Sequence, residues 1–237
     1  MALYLASRHW DVAIHCARSV ADAEQTARDC QALAPDGRFD VFVADLNDPG
    51  AAARCFANAA DHFERIDAVI NNASVFELDT AQTLNVASFD QHLHTNTLAP
   101  IEFARQLAEH VKMRDAQGVV VNLLDQKLYN LNPDFFSYTL SKAALECANT
   151  LLAQTLAPHV RVVGVAPGLT LTSHMLSDEA FAALHKLAPL GRSSTPDDIA
   201  AAVAFALDNP AITGTTPVVD GGQHLVRQAH DFSLMTP

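Results

Sequence analysis

Tyr138 and Lys142 are the pair in this chain whose types and spacing suit proton transfer. The sequence holds three tyrosines and four lysines, and Tyr138 alone has a lysine four positions later. On a helix those two positions share a face, which brings an ammonium beside a phenol. A neighbouring cation favours phenolate and lowers a tyrosine pKa from ~10 toward a range useful for acid–base work. A surface lysine beside a core tyrosine would show the same spacing, so the rest of the pattern has to decide. Asp125, which follows a strand pattern, is a second candidate. Its carboxylate either accepts from N–H donors of a ligand or caps a turn at the end of a strand. Phe76, taken by itself, reads as a hydrophobe that packs a loop.

These residues need elements to carry them, and the hydrophobic pattern supplies an alternating series. Strand patterns fall at 11–16, 39–44, 66–70, 118–124, 161–166 and 216–219. Helical patterns fall at 21–33, 49–63, 88–110, 138–157 and 196–207, the third with its start marked by Ser88 and Asp90. Gly118–Val119–Val120–Val121 is nearly continuous in apolar character, as expected of a strand covered on both faces. Alternation of this kind predicts a parallel sheet with helices on both faces, because crossovers are right-handed. Ligands in such sheets sit at the carboxyl ends of strands. Arg18–Ser19, Asp45, Asn72–Ala73–Ser74, Asp125 and Pro167–Gly168 all follow strand patterns, which predicts one shared site.

Composition narrows the function classes. With 49% hydrophobic and 18% charged residues in 237, the chain has enough apolar content for one sizeable α/β domain. A formal net charge of −12 argues against a polyanionic partner, which needs a cationic face. The four cysteines, Cys16, Cys30, Cys55 and Cys147, show no paired spacing and read as buried thiols in a reducing cytoplasm. The histidines show no ligand spacing, so no metal is expected. No apolar run approaches ~20 residues and no secretory leader is visible, so a cytoplasmic protein is expected.

Taken in order, Asn71–Asn72–Ala73–Ser74, Asn96 before Thr97–Leu98–Ala99–Pro100, Tyr138 with Lys142, Pro167–Gly168, and Thr213–Gly214 with Asp220–Gly221–Gly222 resemble the short-chain dehydrogenase/reductase family over essentially the whole chain. The resemblance implies a doubly wound, Rossmann-type sheet and a homo-tetramer. It also implies that Tyr138 donates a proton to a carbonyl or imine, that Lys142 holds the nicotinamide ribose, and that Asn96 completes a proton relay. Asp125 stands where the family usually has serine, and this is similar to the pteridine reductase branch, as is Ser74 after Asn71–Asn72–Ala73. Within that branch Phe76 would stack the substrate and Arg18–Ser19 would grip the 2′-phosphate of NADP(H). Asp45–Leu46 would line the adenine pocket, and Asn72, Ala73, Ser74, Pro167, Gly168 and Thr170 would complete the cofactor contacts. The sequence around Pro189–Leu190–Gly191–Arg192 is also similar.

The resemblance lacks one part. The family opens with a strand and a glycine-rich turn that seats a pyrophosphate at a helix N-terminus, and residues 1–7 read as the latter half of the helix that follows. That comparison places roughly 20 residues ahead of Met1, with an internal methionine taken as the start; the alternatives are a truncated paralogue or a fold that compensates for the loss. A sheet without that strand is expected to show two exposed edges near its centre. Three functions remain in view: an NADPH-dependent reductase of a pterin-like substrate, a general NADP-dependent carbonyl reductase of the oxoacyl type, and a non-catalytic binding subunit.

Overall fold

A computed structural model describes residues 1–172 and 176–235. The described chain alternates helix and strand in the expected sense. A short helix α1 (Ala2–Ala6) precedes β1 (Val12–Cys16), α2 (Val20–Leu33), β2 (Phe39–Val43), α3 (Ala51–Phe63) and β3 (Ala68–Asn71). Then come α4 (Val86–Leu93), α5 (Ala99–Met113), β4 (Gly118–Leu123), α6 (Phe136–Leu156) and β5 (Val160–Pro167). The described chain finishes through α7 (Asp178–His185), α8 (Pro196–Asp208) and β6 (Val218–Val219).

Every strand pairing among the described residues is parallel, and the strands form two separate sheets, β1–β2 and β3–β4–β5–β6. The register sets Asn71 opposite Asn122 and Asn122 opposite Gly164. All six residues of β4 are buried, which accounts for its valine-rich sequence. Helices α5 and α6 cover one face of this sheet, where Leu107, Val111 and Ala153 pack on Val120 and Val162. Helix α8 covers the other, where Ile199 and Val203 pack on Val121 and Val163.

β1 and β3 do not meet. Neither is fully buried, although their sequences are as apolar as interior strands require: only Asn71 of β3 is buried, and Ala13 of β1 is exposed. The two edges expected near the centre of the sheet are therefore present. A cavity of about 650 Å³ lies between them, lined by Val12, Ala13, Ile14, Ala68, Val69 and Ile70 together with residues of α1, α3 and α5.

The helix predicted over 88–110 is three pieces. It begins earlier than Ser88, because Asn85 is the cap: its side chain accepts from Ala87 N–H (2.9 Å) and Ser88 N–H (3.2 Å). A π-helical turn, His94–Leu98, then interrupts the α-helical ladder. Helix α7 had no clear periodic signal and was not predicted; Ser177 caps it by accepting from Ala180 N–H.

Candidate active site

Helix α6 carries Tyr138 and Lys142, and its start is built by a distant residue. Phe135, at the N-cap, has φ +52° and makes no side-chain cap. The buried Asp79 takes that role: its carboxylate accepts from Ser137 N–H (3.0 Å) and from the Ser137 hydroxyl, and its carbonyl accepts from Phe136 N–H (3.2 Å). A carboxylate at this helix end also suits the helix dipole. The first turn of α6 is thereby fixed to the 72–85 loop, one residue before Tyr138.

Tyr138 is buried, and its hydroxyl donates to Asp125 Oδ2 at 2.7 Å. The other oxygen of Asp125 accepts from Lys127 N–H at 2.8 Å and caps the 3₁₀ turn Gln126–Tyr129. Both readings of Asp125 therefore hold together: it caps a turn, and it faces the phenol. A carboxylate offers about four lone-pair positions, so acceptor capacity remains on Asp125, which keeps part of its surface open. Burial raises the Asp125 pKa, and the nearby charge of Asp231 adds to this. The Lys127 N–H, the Tyr138 hydroxyl and the Lys142 charge pull the other way.

One electrostatic expectation needs correction. Lys142 does not bring the Tyr138 pKa below its usual range. Burial, then the charge and hydrogen bond of Asp125, hold the phenol well above its usual range. The ammonium of Lys142 lies 5.7 Å from the Tyr138 ring centre and donates to the Leu123 carbonyl at 2.7 Å. Burial lowers its own pKa from 10.5 to about 8, with Asp125 partly opposing the shift. Asn96 sits in the π-helical turn. Its Nδ2 donates to the Val75 carbonyl (2.9 Å) and Ser141 Oγ (3.0 Å). Its Oδ1 accepts from Val75 N–H (2.8 Å) and the Ser74 hydroxyl (3.2 Å). With both amide hydrogens donated and Oδ1 accepting from Val75 N–H, the side chain clamps the 74–75 loop to α6.

Phe76 stacks on Phe135 with ring centres 4.0 Å apart and an interplanar angle of 12°, and meets Tyr138 edge-on at 4.7 Å. One face of Phe76 is thus occupied by the protein, and 37% of the residue remains exposed beside Tyr138. His92, fully buried in α4, steadies the same loop. Its Nδ1 faces the Ser88 carbonyl (2.8 Å), which fixes the proton there, and its Nε2 accepts from Glu77 N–H (3.3 Å).

The remaining candidates lie at strand ends as expected, but with varied partners. Arg18 and Ser19 follow β1 and are exposed; no hydrogen bond or ion pair of the Arg18 side chain is found among the described residues. Asp45 is exposed and holds Asn47 N–H at 3.0 Å, while Leu46, Asn72 and Ala73 line the cavity between the half-sheets. Pro167 ends β5, and Gly168 has a packing reason to be glycine: a Cβ there would lie 2.5 Å from Ser193 Oγ. Thr170 bonds the Gly168 carbonyl (2.8 Å) and Ser194 Oγ (2.7 Å). The cysteines are less uniform than expected, since Cys147 is exposed and Cys16 is only partly covered.

Sequence reasoning missed the residues that frame this centre. Besides Asp79, these are Lys127 and Asp231, whose side chains pair at 2.9 Å with the ammonium only 3% exposed. Lys127 also lies 5.3 Å from the Phe135 ring centre, beneath the stacked pair. The one available signal was proximity: Lys127 lies two residues from Asp125.

Residues 1–224 match the family model described as enoyl-(acyl carrier protein) reductase. Among curated proteins, Protein FixR of Bradyrhizobium diazoefficiens is 32% identical over 224 residues, covering 90% of this chain and 77% of that protein. Among solved structures, the FolM alternative dihydrofolate reductase 1 of Brucella canis, complexed with NADP, superposes with a TM-score of 0.87. The two are 36% identical, over 95% of this chain and 89% of that one. The corresponding Brucella suis protein, also in complex with NADP, gives 0.86 at 36% identity, over 95% and 90% of the two chains.

Proposed function

The chain belongs to the short-chain dehydrogenase/reductase family of oxidoreductases, and from that premise we propose that it reduces a pterin-like N-heterocycle with NADPH, Tyr138 giving the proton. The observation that carries the reading is the 2.7 Å hydrogen bond from the Tyr138 hydroxyl to Asp125, with Phe76 edge-on to the same ring. Support comes from the two FolM alternative dihydrofolate reductases, which share 36% of their residues with this chain.

The residues present suit the cofactor at its two ends. The exposed Arg18, with no acidic residue between it and the end of β1 at Cys16, fits a 2′-phosphate; Lys142 and the Pro167–Thr170 segment fit the nicotinamide end. NADPH, when bound, supplies the hydride. Asp125 keeps acceptor positions for N–H groups of the heterocycle, where a serine would be suited to a carbonyl oxygen. The exposed face of Phe76 is available for ring stacking. Burial and Asp125 raise the Tyr138 pKa, so the resting group is the protonated phenol that a proton donor requires. With its pKa near 8, Lys142 is cationic at neutral pH and stabilises the phenolate that donation leaves behind. The reading extends to a homo-tetramer, which rests on the family resemblance, and to the cytoplasm, which rests on the unpaired spacing of the cysteines.

Asp125→Ser tests the assignment. NADPH oxidation should fall on a dihydropterin by at least tenfold more than on a simple ketone, since only the former uses the carboxylate. Equal effects on both would favour a general carbonyl reductase. The absence of NADPH binding to the folded chain would favour a binding protein without turnover.

A further inference from the structure

Two charged side chains beside the candidate site have no part in the proposed reaction. Lys127 is buried, and its ammonium donates to Asp231 Oδ2 at 2.9 Å. Apolar side chains of the same volume commonly hold a fold as well as a buried ion pair does, so stability alone does not account for these charges. Their connections do. The main-chain N–H of the same Lys127 donates to Asp125 Oδ1 at 2.8 Å, while the other carboxylate oxygen takes the Tyr138 hydroxyl. The N–H of Asp231 donates to the buried Asp134 at 2.8 Å, and Asp134 directly precedes Phe135, on which Phe76 stacks. Asp231 is fixed in turn: its Oδ1 accepts from Ser233 N–H at 3.0 Å, and Phe232 beside it packs on Leu176 and Leu184. One residue thus touches both the turn that carries Asp125 and the segment that carries the aromatic platform.

We propose that Asp231 is a positioning residue of the reduction, which by pairing with Lys127 keeps the Asp125 carboxylate aimed at the N–H edge of a substrate that lies on Phe76. The identity of the substrate rests on the pterin reading, the placement of Asp125 on the hydrogen bonds just given. An ammonium deprived of its carboxylate inside a protein is driven toward water or another acceptor. The Lys127 side chain is only 3% exposed, so it reaches water by shifting the turn that carries it. That shift draws the Lys127 N–H away from Asp125 Oδ1. The carboxylate is then held by the Tyr138 bond alone and is free to rotate about it.

Rotation matters for one kind of ligand. A heterocycle that presents adjacent N–H groups needs carboxylate lone pairs held in a fixed plane, whereas a simple ketone has no N–H to offer them. The charge of Asp231 reaches the centre as well. After burial, and for Tyr138 after the facing Asp125, it is among the causes that raise the pKa of both groups, with Lys142 opposing it at Asp125. His230, whose Nδ1 lies 3.1 Å from Asp134, is the remaining titratable side chain on this segment of the tail. It contacts Asp134 rather than the Lys127–Asp231 pair.

Asp231→Asn keeps the shape of the side chain and removes its charge. With it, kcat/KM should fall at least tenfold on a dihydropterin, mostly through KM, and less than threefold on a simple ketone. Amide exchange at Lys127 should quicken at least tenfold, while at Ser137, which Asp79 holds, it changes less than threefold. Adding Lys127→Met removes the stranded ammonium. The double variant should return the substrate ratio and the exchange at position 127 to within threefold of the parent. Asp231→Glu, which keeps the pair but displaces it, should show the same pattern at three- to tenfold size, and it carries the test where Asp231→Asn does not fold. Equal losses on both substrates, unchanged exchange at Lys127, or no recovery in the double variant overturns the proposal, since a merely structural tie gives those results. A parent chain that reduces no dihydropterin refutes the reductase reading instead, and the exchange measurements then decide the role of Asp231 by themselves.

Discussion

Replacing Lys142 with methionine should change how stability depends on pH. The ammonium is buried and its pKa falls from 10.5 to about 8, chiefly through desolvation. Between those values the unfolded chain holds a proton on Lys142 that the folded chain has released. Stability therefore rises with pH across this window. Below pH 8 both states are protonated, and the folded state carries the full cost of a buried charge. At about 1.4 kcal/mol per pKa unit the difference is about 3 kcal/mol. Methionine has similar reach and no charge, so Lys142→Met removes this pH dependence. It also loses the bond to the Leu123 carbonyl, which adds a constant offset. Urea unfolding of both proteins from pH 7 to 10.5 isolates the effect, because groups not coupled to Lys142 cancel in the difference. The parent's stability should rise relative to the variant's by about 3 kcal/mol, mostly above pH 8. A difference that stays flat across the range refutes the burial argument for Lys142.

Tyr138→Phe should abolish NADPH oxidation with a dihydropterin while lowering stability by only about 1 kcal/mol, the usual worth of one hydrogen bond; steady-state assays and urea melts check both halves. Asp79→Ala removes the acceptors for Ser137 and should cost about 2 kcal/mol, more than an ordinary exposed cap, seen as a lower urea midpoint. Arg18→Ala should weaken NADPH binding at least tenfold and leave NADH binding unchanged, measured by equilibrium titration.

The strands were legible because interior parallel strands are uniformly apolar and the residues after them are polar or small. β4 with Asp125 and β5 with Pro167–Gly168 follow that rule, and the Tyr138–Lys142 spacing became meaningful once a helix carried it. What escaped the sequence was set by contacts between distant positions. Asp79 caps a helix 58 residues away, and Lys127 pairs with Asp231 over 104 residues. No local period records such pairs. The helix predicted to start at Ser88 begins after Asn85, and the π-helical turn within it is held by bonds from Asn96 to Val75 and Ser141. The direction of the Tyr138 shift was misread for a related reason. The i, i+4 spacing shows the lysine, but the carboxylate that faces the phenol comes from another strand. The half-exposure of β1 and β3 likewise depends on what lies beside them, not on their own residues.

The pairing of Lys127 with Asp231 has a bearing on the order in which this molecule is completed. A buried ammonium left without its partner costs about 3–5 kcal/mol, and here that ammonium lies beneath the aromatic stack beside Tyr138. During synthesis every other element of the centre emerges well before Asp231. The Lys127 charge therefore stays unpaired until synthesis has reached Asp231. A ribosome that stalls ahead of that residue, or a protease that cuts there, would leave a lone cation beneath the Phe76–Phe135 stack. In this architecture Asp231 acts as the closing stitch of the candidate site.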